Sequence, residues 1–532
     1  NVSGLSSGVD WRSLIEQIRT AEHKPIDLIS KQKGVYENKL KAWQELNTKL
    51  LGLKTAAEKI NTAQGFNLLT SSSLSSSATK PEDLLTATIG EAGQIGSYAL
   101  EVLQTARVEK WSSRSFASQS TALGTGYAGT FQVNGRTVTV AADDTLADVR
   151  NKINNLNSGD QATKVIASIV SYSATDNRLI LTSQTEGAAG LTLQAAGSPD
   201  LVAAFEFTEI QSGRDASLRV DGVSVTRSSN TISDLLPGII LNLNKAEPGT
   251  TVTLNIDRDL DGLTGLIRDF VDQYNQVMDF VRTQSTYNKT DQQTGGVLFG
   301  DGTLRSVKKE LTGAIINPVW GVTPAFAILG QAGIKLDNQG KLSVNETTLQ
   351  GYLQTNFEDI KKLFIAEGTS SSGSLDYVTH GVKTNSGTYA VNITQVPAPG
   401  VDAAGTINGE AAVGSGNTLT GAPGTSVEGL VVRYEGTATG VVGSVTLTMG
   451  VAEAFSRVLS HLTDSLDGYV ADKQDGIQTR IDNLNKKIDV MEDRLDRRME
   501  TLTSQYVAME TAMSKMQSLS SWLSSQISQL SS

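Results

Sequence analysis

The most regular pattern in the chain is an apolar seam that runs through its C-terminal part. Apolar residues recur there at alternating steps of four and three, the spacing of a helix in a coiled coil. One additional step of four at Met499 shifts the seam, which then continues to Met516. The first seam residues are Ile477, Ile481, Leu484, Ile488, Met491 and Leu495. We therefore predict a long helix with an apolar face that needs a partner.

The N-terminal part of the chain also predicts helix. Leu14, Ile15 and Ile18 form a short apolar stripe behind Asp10, a residue type that caps helix N-termini. Pro25 should interrupt this helix because an interior proline removes a backbone hydrogen bond. A second, longer helix should therefore begin after the proline.

The longer N-terminal helix should run to about Ile60 and stop near Gln64–Gly65, since glycine favours the position that follows a helix C-terminus. Its apolar positions include Leu40, Trp43 and Leu50. Because both chain ends carry apolar faces, we expect the N- and C-terminal helices to pack together as a coiled-coil stalk. The β-rich regions between them would then be insertions.

Two stretches between the helical ends alternate apolar and polar residues, as half-buried β-strands do. The first spans residues 68–260 and contains Asn134–Gly135 and Asp221–Gly222, pairs that favour tight hairpins. One amphipathic helix is predicted inside it, from Thr145. The second β-rich stretch spans residues 369–450 and is rich in Gly, Ser and Thr.

Helical spacing returns between these two stretches. It predicts helices over residues 263–281 and 304–315 and a single helix over 349–364, with a hairpin at 333–345. The chain is therefore predicted to be an α+β multidomain protein, in which N- and C-terminal helices form the stalk and carry inserted β-rich domains. The predicted domains are residues 1–67 (helical leg and coiled coil), 68–260 (β-rich head, with two subdomains), 261–368 (helical stalk domain with a small hairpin), 369–450 (extra inserted β domain) and 451–532 (coiled coil and terminal leg).

The two β-rich regions begin with a similar phrase. GSYALEVLQTA, residues 96–106, is echoed by GTYAVNITQVP, residues 387–397. The matching pairs are Tyr98 with Tyr389, Leu100 with Val391, and Val102 with Ile393. We infer from this pattern that the second β domain reuses the strand design of the first.

Composition narrows the functional classes. The chain has 532 residues and a net charge of −11, which argues against a nucleic-acid partner. It contains no cysteine, so disulfides and thiolate chemistry are excluded. No apolar run approaches the ~20 residues that a transmembrane helix needs. The first residues contain neither a basic nor an apolar segment, so we expect no cleaved secretory signal.

Candidate catalytic and metal-binding residues are few. The three histidines, His23, His380 and His461, are far apart and lack a second histidine at ligand spacing. DRDLDG, residues 257–262, imitates an EF-hand loop, but Arg268 stands where calcium needs a glutamate. The sequence contains no P-loop, nucleophile elbow or zinc-protease motif. We therefore expect no enzymatic activity, no cofactor and no metal site.

Both chain ends carry apolar residues in nearly uncharged surroundings. No charged residue follows Lys515, and the serines of this last segment make it a poor helix former on its own. The candidate contact residues are Leu519, Trp522, Leu523, Ile527 and Leu530 at this end, and Leu5, Trp11, Leu14, Ile15 and Ile18 at the N-terminal end. These segments are either the fraying ends of an internal coiled coil or docking segments that become ordered on a partner.

Several stretches resemble the flagellar filament cap family, hook-associated protein 2. GLSSGVDWRSLIEQI resembles the N-terminal opening of the family, and GSYALEVLQTA resembles its first β phrase. TVTVAADDTLADVRNKIN with NRLILTSQTEGAAGLTL resembles the hook-associated insertion motif shared with flagellins. LFGDGTLR, GIKLDNQGKLSVN and the last helix resemble its C-terminal region. The resemblance covers the chain except for residues 369–450.

This resemblance implies a secreted, extracellular protein at the distal tip of the bacterial flagellum. Its copies would form a ring, expected to be a pentamer, with a plate of β domains on helical legs. The plate would promote the insertion and folding of exported flagellin and prevent its loss. Other implied partners are the hook-associated junction protein and a cytoplasmic export chaperone that binds the C-terminal segment.

Two alternative functions remain open at this point. One is a surface adhesin that uses its β domains to bind host surface glycans. The other is a hook–filament junction protein, which would not cap a filament end.

Overall fold

The structure is a computed structural model that describes residues 8, 10–288, 293–294 and 296–530, with side chains described within 10–286 and 296–527. The chain forms two compact units. One contains residues up to 66 and from 260 onward, and the other contains residues 67–259. Within the described residues, no helix has the length and apolar character needed to cross a bilayer.

The helices lie mainly at the two ends and in the middle of the chain. Their bounds are α1 Trp11–Glu58, α2 Ala63–Phe66, α3 Pro81–Leu84, α4 Leu146–Asn155, α5 Leu201–Ala204, α6 Leu260–Ser285, α7 Gly302–Ile316, α8 Glu346–Thr355, α9 Phe357–Phe364, α10 Val451–Thr463 and α11 Tyr469–Leu530. Short 3₁₀ turns occur at Thr125–Tyr127, Pro324–Phe326 and Leu329–Ala332.

The strands fall into an earlier and a later group. The earlier strands are β1 Leu69–Ser75, β2 Leu85–Ile89, β3 Gly96–Gln104, β4 Val108–Ser112, β5 Gly129–Val133, β6 Arg136–Val140, β7 Val165–Ser173, β8 Asp176–Glu186, β9 Leu193–Ala195, β10 Thr208–Gln211, β11 Ala216–Val220, β12 Val223–Arg227, β13 Thr231–Leu236, β14 Ile239–Leu243 and β15 Val252–Arg258. The later strands are β16 Tyr287–Asn288, β17 Gln293–Thr294, β18 Ile334–Leu336, β19 Leu342–Val344, β20 Ala366–Ser370, β21 Leu375–Thr379, β22 Gly387–Gln395, β23 Ala404–Ile407, β24 Glu410–Ser415, β25 Thr418–Gly421, β26 Val431–Tyr434 and β27 Gly440–Met449.

The largest hydrophobic core lies in the first unit and is built by α1, α2, α6–α11 and the β18–β19 hairpin. Trp43 of α1 is fully buried there. Phe455 of α10 meets Phe270 and Tyr274 of α6 edge to face, with ring centroids 5.1 and 5.9 Å apart. Burial of each such large side chain stabilises the fold by about 1.5–3 kcal/mol. This core holds the terminal helices together, which confirms the predicted α+β class with paired helical ends.

The predicted interruption at Pro25 is wrong, because α1 continues through it from Trp11 to Glu58. The proline side chain is exposed, whereas the next residue, Ile26, is 2% exposed and packs with Leu495 and Met499 of α11. Contacts with α11 on both sides of the proline therefore offset the lost hydrogen bond. The predicted cap is confirmed, since the Asp10 carboxylate accepts a hydrogen bond from the Ser13 N–H at 3.3 Å.

Two other predicted helix boundaries are also wrong. The N-terminal helix α1 ends at Glu58, close to the predicted Ile60, but the predicted stop near Gly65 is wrong because residues 63–66 form the separate turn α2. The predicted single helix over residues 349–364 is divided into α8 and α9 at Asn356, whose φ of −133° and ψ of 38° are not helical. This break lets Phe357 and Phe364 both reach Phe66, with ring centroids 5.7 and 5.5 Å away.

The second unit contains two hydrophobic cores. A five-stranded sheet in the order β1-β15-β3-β11-β12 and a three-stranded sheet in the order β13-β14-β2 enclose the first. The hairpin of β11 and β12 turns at Asp221 and Gly222, with φ of 47° and 85°, as the sequence predicts.

The other core of this unit lies under a four-stranded sheet, β10-β4-β8-β7, with α4 and the three-stranded sheet β6-β5-β9. The β5–β6 hairpin turns at Asn134 and Gly135 as predicted. The predicted helix α4 is capped by Thr145, whose side chain accepts the Asp148 N–H while the Asp148 carboxylate accepts the Thr145 N–H. This capping box satisfies two backbone donors at the helix start.

The inserted β20–β27 region of the first unit repeats the eight-stranded arrangement around the first core of the second unit. Its order is β20-β27-β22-β23-β24-β25-β26-β21. Strands β20–β24 therefore correspond to β1, β2, β3, β11 and β12, and β25–β27 correspond to β13–β15. The two arrangements differ in that β24 pairs with β25, which joins all eight strands into one sheet.

The repeated sequence phrase begins equivalent strands, β3 and β22, and the repeat extends to individual hydrogen bonds. The Gln104 side chain donates to the Asp215 carbonyl at 2.8 Å, and the Gln395 side chain donates to the Asp402 carbonyl at 2.9 Å. Both acceptors lie two residues before the partner that faces the glutamine in the adjacent strand. The inference that the second β domain reuses the design of the first agrees with this geometry.

Candidate partner-contact segments

The two ends of the chain form an antiparallel helix pair, α1 with α11. The rings of Trp11 and Tyr506 stack with centroids 4.5 Å apart, and the Trp11 indole N–H donates to Glu510 at 2.6 Å. Further along, the Tyr36 ring lies 5.7 Å from the guanidinium of Arg480. Residues with increasing numbers along α1 therefore contact residues with decreasing numbers along α11.

Charged residues beside the apolar seam link the two helices. Arg19 pairs with Asp496 at 3.2 Å, and Glu22 pairs with Arg498 at 2.9 Å. These side chains are mostly well exposed, so each pair contributes only about 0–1 kcal/mol and mainly favours this register. Sequence reasoning missed them, although charged residues that flank a heptad seam are the signal that could have found them.

His23 lies between two carboxylates of the helix pair. Its Nε2 is 2.8 Å from Glu492 of α11, and its Nδ1 is 2.9 Å from Asp27 of α1. The hydrogen bond to Glu492, with the negative charges of both carboxylates, raises the pKa of His23 above its ordinary value. The protonated imidazole therefore favours the paired arrangement.

The predicted seam residues fall into two separate hydrophobic clusters. Trp43, Leu50, Ile477 and Ile481 are buried in the main core, and Leu40 packs against it. Leu495 is buried in a small second cluster, against which Ile488 and Met491 pack. Leu484 is half-buried between them. All six predicted seam residues of α11 are therefore buried or half-buried.

The N-terminal contact candidates that the structure describes lie on the helix pair. Trp11, Leu14, Ile15 and Ile18 are half-buried, and Ile15 and Ile18 pack on the second cluster. Leu5 lies outside the described residues. These side chains are therefore partly buried within the protein itself, by the contact between α1 and α11.

The C-terminal candidates are much more exposed. Leu519, Trp522, Leu523 and Ile527 expose 59, 59, 46 and 62% of their surface, and the side chain of Leu530 lies outside the described residues. Although this serine-rich segment is a poor helix former, α11 continues through it to Leu530. Extension of an existing helix requires no new nucleus, which explains the difference. We call residues 516–527 the terminal apolar face.

The other residues considered as catalytic or metal-binding candidates contact side chains of the protein itself. Arg268 forms an ion pair with Glu346, and Asp261 accepts a hydrogen bond from the Gln350 amide at 2.8 Å. His380 contacts the Tyr377 hydroxyl and the Glu453 carboxylate at 2.5 and 3.3 Å. In the part of the chain that the structure describes, no cluster of three or more His, Asp or Glu side chains could hold a metal ion.

Comparison with known proteins places this architecture in a family. A model of the flagellar hook-associated protein 2 C-terminus matches residues 213–518, and a model of the N-terminus of the same protein matches residues 7–109. The chain belongs to the flagellar hook-associated protein 2 family. Residues 110–212, between the two matches, contain α4 and most of the four-stranded sheet.

Individual relatives in the hook-associated protein 2 family have low sequence identity to this chain but match most of its length. The protein of Xenorhabdus nematophila is 23% identical over 420 residues, which cover 70% of this chain and 84% of that protein. The protein of Escherichia coli K12 is 25% identical over 389 residues, which cover 69% and 80%. The crystal structure of domains D1 to D3 of the flagellar cap protein FliD from Escherichia coli is similar with a TM-score of 0.55 and 22% identity, covering 82% of this chain and 99% of that one. That likeness supports the fold.

Proposed function

We propose that this protein caps the distal end of the bacterial flagellar filament. Membership of the hook-associated protein 2 family supports this role, and the related Escherichia coli protein is named a flagellar cap protein. In this function, copies of the chain assemble into a ring whose β domains form a plate. Exported flagellin is inserted and folded beneath the plate and is not lost to the medium.

The observation that carries this proposal is the terminal apolar face of α11. Leu519, Trp522 and Leu523 are each more than 40% exposed, and no charged residue follows Lys515. Burial of such side chains on another protein is favourable, at about 25 cal/mol per Å² of apolar surface. The terminal apolar face would contact the filament end. Several small apolar contacts can be released one at a time, so the cap can step aside for each subunit.

The remaining partners follow from this role. The protein would be secreted and extracellular, at the tip of the flagellum. Its partners would be flagellin, the hook-associated junction protein and, before export, a cytoplasmic chaperone that covers the C-terminal segment. Coverage of the terminal apolar face inside the cell would prevent the association that such a surface invites.

A complementation experiment tests the proposal. A strain that lacks its own cap protein would express this chain, and filament length, motility and flagellin released into the medium would be measured. The wild-type chain should restore long filaments and keep flagellin out of the medium. If it reaches the medium but restores no filaments, the cap function is wrong.

Paired substitutions test the terminal apolar face itself. Leu519→Ser with Leu523→Ser should shorten filaments and release flagellin, because the apolar contact is lost. The matched control is Val490→Ser with Val507→Ser, since these residues of α11 are 58% and 61% exposed outside the face. If both double variants restore filaments equally, the terminal apolar face is not the contact surface. Immunoblots of the medium would confirm that each variant is exported.

A further inference from the structure

Two Asn-Gly pairs occur in the sequence, and each forms the turn of a β-hairpin. Asn134–Gly135 joins β5 to β6, and Asn408–Gly409 joins β23 to β24. In such a pair the asparagine side chain is open to attack by the backbone nitrogen that follows it, because glycine has no Cβ to hinder the approach. The two pairs differ in what holds the asparagine side chain.

The backbone conformation is the same at the two turns. The φ angles are 47° and 76° at Asn134 and Gly135, and 52° and 79° at Asn408 and Gly409. Two consecutive positive values are those of a tight two-residue hairpin turn. A difference in reactivity between the pairs in the folded protein must therefore come from the side chains and their surroundings.

The Asn134 side chain is half-buried and held by hydrogen bonds on both sides of its amide. Its nitrogen donates to the Thr163 carbonyl at 2.8 Å. Its oxygen accepts the Thr192 N–H at 2.7 Å and the Thr192 hydroxyl at 3.3 Å. Both partners lie outside the hairpin, so movement of the amide carbon onto the Gly135 nitrogen would break these bonds.

The Asn408 side chain has no such support. Asn408 and Gly409 are both exposed, and among the residues that the structure describes no hydrogen bond reaches the Asn408 side chain. Its backbone alone is fixed, by donation of the N–H to the Ala390 carbonyl at 2.6 Å. A Cβ added at Gly409 would have no other atom within 4 Å, so the space around this turn is open to water.

We propose that Asn408 is a site of spontaneous deamidation, and that the fold protects Asn134 from the same reaction. The Gly409 nitrogen attacks the side-chain amide carbon of Asn408 and forms a bond to it. The amide nitrogen leaves as ammonia and takes the proton of the Gly409 N–H. Water then opens the cyclic imide at either carbonyl, which yields aspartate or isoaspartate. This inference is independent of the proposed capping function.

The isoaspartate product would alter the hairpin. Its main chain passes through the former side chain and is one carbon longer between residues 408 and 409. Two residue pairs, Thr406 with Ala411 and Ile407 with Glu410, join β23 to β24. The longer turn should loosen this pairing, because the turn sets the register of a hairpin. The aspartate product keeps the length of the main chain and adds a negative charge.

Peptide mapping of the full chain by mass spectrometry measures the reaction at each site. The protein would be incubated at mildly alkaline pH and sampled over time, and a sample digested at the start would correct for deamidation during digestion. Asn408 should lose its amide at least roughly tenfold faster than Asn134, because hydrogen bonds resist movement of the Asn134 side chain. An isoaspartyl methyltransferase would identify the isoaspartate. Equal rates at the two sites would overturn the proposal.

Two controls separate the effect of the fold from that of the local sequence. Asn385 is exposed, and no hydrogen bond reaches its side chain within the described residues, but Ser386 follows it. Because the serine Cβ hinders attack, Asn385 should react more slowly than Asn408, and an equal rate would contradict the role of the glycine. In a chain unfolded by urea, Asn134 and Asn408 should react at similar rates. An Asn134 that stays slow in urea would show that the fold does not protect it.

Two variants test the reaction and its consequence. Asn408→Gln should abolish amide loss and isoaspartate formation at this position, since the longer side chain closes the ring far less readily. Asn408→Asp has the charge of the product with an unchanged main chain. Hydrogen exchange at residues 404–415 should therefore accelerate in aged wild-type protein and remain slow in fresh Asn408→Asp. Unchanged exchange in an aged chain that contains isoaspartate at 408 would refute the loosening of the hairpin.

Discussion

The rings of Trp11 and Tyr506 stack 4.5 Å apart and join the beginning of the first helix to the last turns of the helix pair. The Trp11 indole also donates to Glu510, so both the face and the edge of this side chain are used. Beyond this contact, α11 carries the exposed terminal apolar face. The stacked pair therefore marks the point where the helix changes from an internal contact to an exposed surface.

Removal of this stacking should loosen the end of the pair. Trp11→Ala should destabilise it by about 1–2 kcal/mol, from the lost aromatic contact, buried surface and hydrogen bond. Faster hydrogen exchange of the amides at 501–510 would show this. Trp522→Ala is the matched control, because that ring is 59% exposed and its loss should leave these amides unchanged. Equal protection in wild type and Trp11→Ala would contradict the prediction.

The helix pair should also respond to pH through His23. Its pKa is raised in the folded protein by the hydrogen bond to Glu492 and by nearby negative charges. Its contribution is therefore fully present below the unfolded pKa of about 6.5, and it is lost as the pH rises through the higher folded value. Hydrogen exchange in α1, corrected for intrinsic rates, should show this loss.

The control for that experiment is His23→Gln, which keeps a polar side chain but cannot titrate. The ion pair of Glu22 with Arg498, which also joins the two helices, is unchanged in this control. An unchanged pH profile in His23→Gln would show that another group is responsible.

Arg457 should hold the inserted β domain on α10. It donates to the carbonyls of Gly381, Val382 and Thr384 at 3.0, 3.1 and 2.6 Å, and to Glu453 at 2.8 Å. Burial opposes ionisation of Glu453, but the hydrogen bonds from His380 and Arg457 keep its pKa below the ordinary value. Arg457→Ala would leave this carboxylate without its cation, at a cost of about 3 kcal/mol.

Limited proteolysis of the loop 380–386 would measure that loosening. The matched control is Lys383→Ala, because the Lys383–Glu428 pair is exposed at the lysine and is worth about 0–1 kcal/mol. Cleavage should accelerate in Arg457→Ala and remain near the wild-type rate in Lys383→Ala. Similar rates in both variants would show that Arg457 does not fix the domain.

The sequence patterns correctly predicted the elements whose backbone conformation is determined by residues close together in the sequence. The Asn134–Gly135 and Asp221–Gly222 hairpins form because these residues accept positive φ at little cost. The repeated phrase was informative for a similar reason. A Cβ added at Gly96 would lie 3.2 Å from the Tyr98 hydroxyl oxygen, which is a tight contact, whereas a Cβ at Gly387 would make an ordinary contact of 3.5 Å with Tyr389. In both strands the tyrosine therefore packs over the glycine two residues earlier.

The predictions that failed, or that could not be made, concern residues whose structure depends on contacts with residues far away in the sequence. Pro25 remains inside α1 because Ile26 packs on Leu495 and Met499, which lie at the other end of the chain. Neither His23–Glu492 nor Trp11–Glu510 could be found from spacing, because each pairing depends on the register of α1 against α11.

The inserted β domain should be removable without loss of the helical core. Its ends are adjacent, since the Gly450 N–H donates to the Ile365 carbonyl at 2.8 Å. The domain has a hydrophobic cluster of its own, which includes Val391, Val432 and Leu447, so its removal takes away a complete core. We therefore expect a chain that lacks Ala366–Met449, with Ile365 joined to Gly450 by a short glycine linker, to keep its helical content and its thermal transition within a few degrees.

In the complementation assay, this shortened chain should still support filament growth if the domain is peripheral to capping. The matched control keeps the domain but carries the same glycine linker between Ile365 and Ala366, which separates the effect of the linker from that of the deletion. A folded, exported deletion variant that yields no filaments, beside a linker variant that does, would show that the domain takes part in capping. The contact of His380 with Glu453 of α10 would then be the first place to look for the cause, because the deletion removes His380 and leaves Glu453 with Arg457.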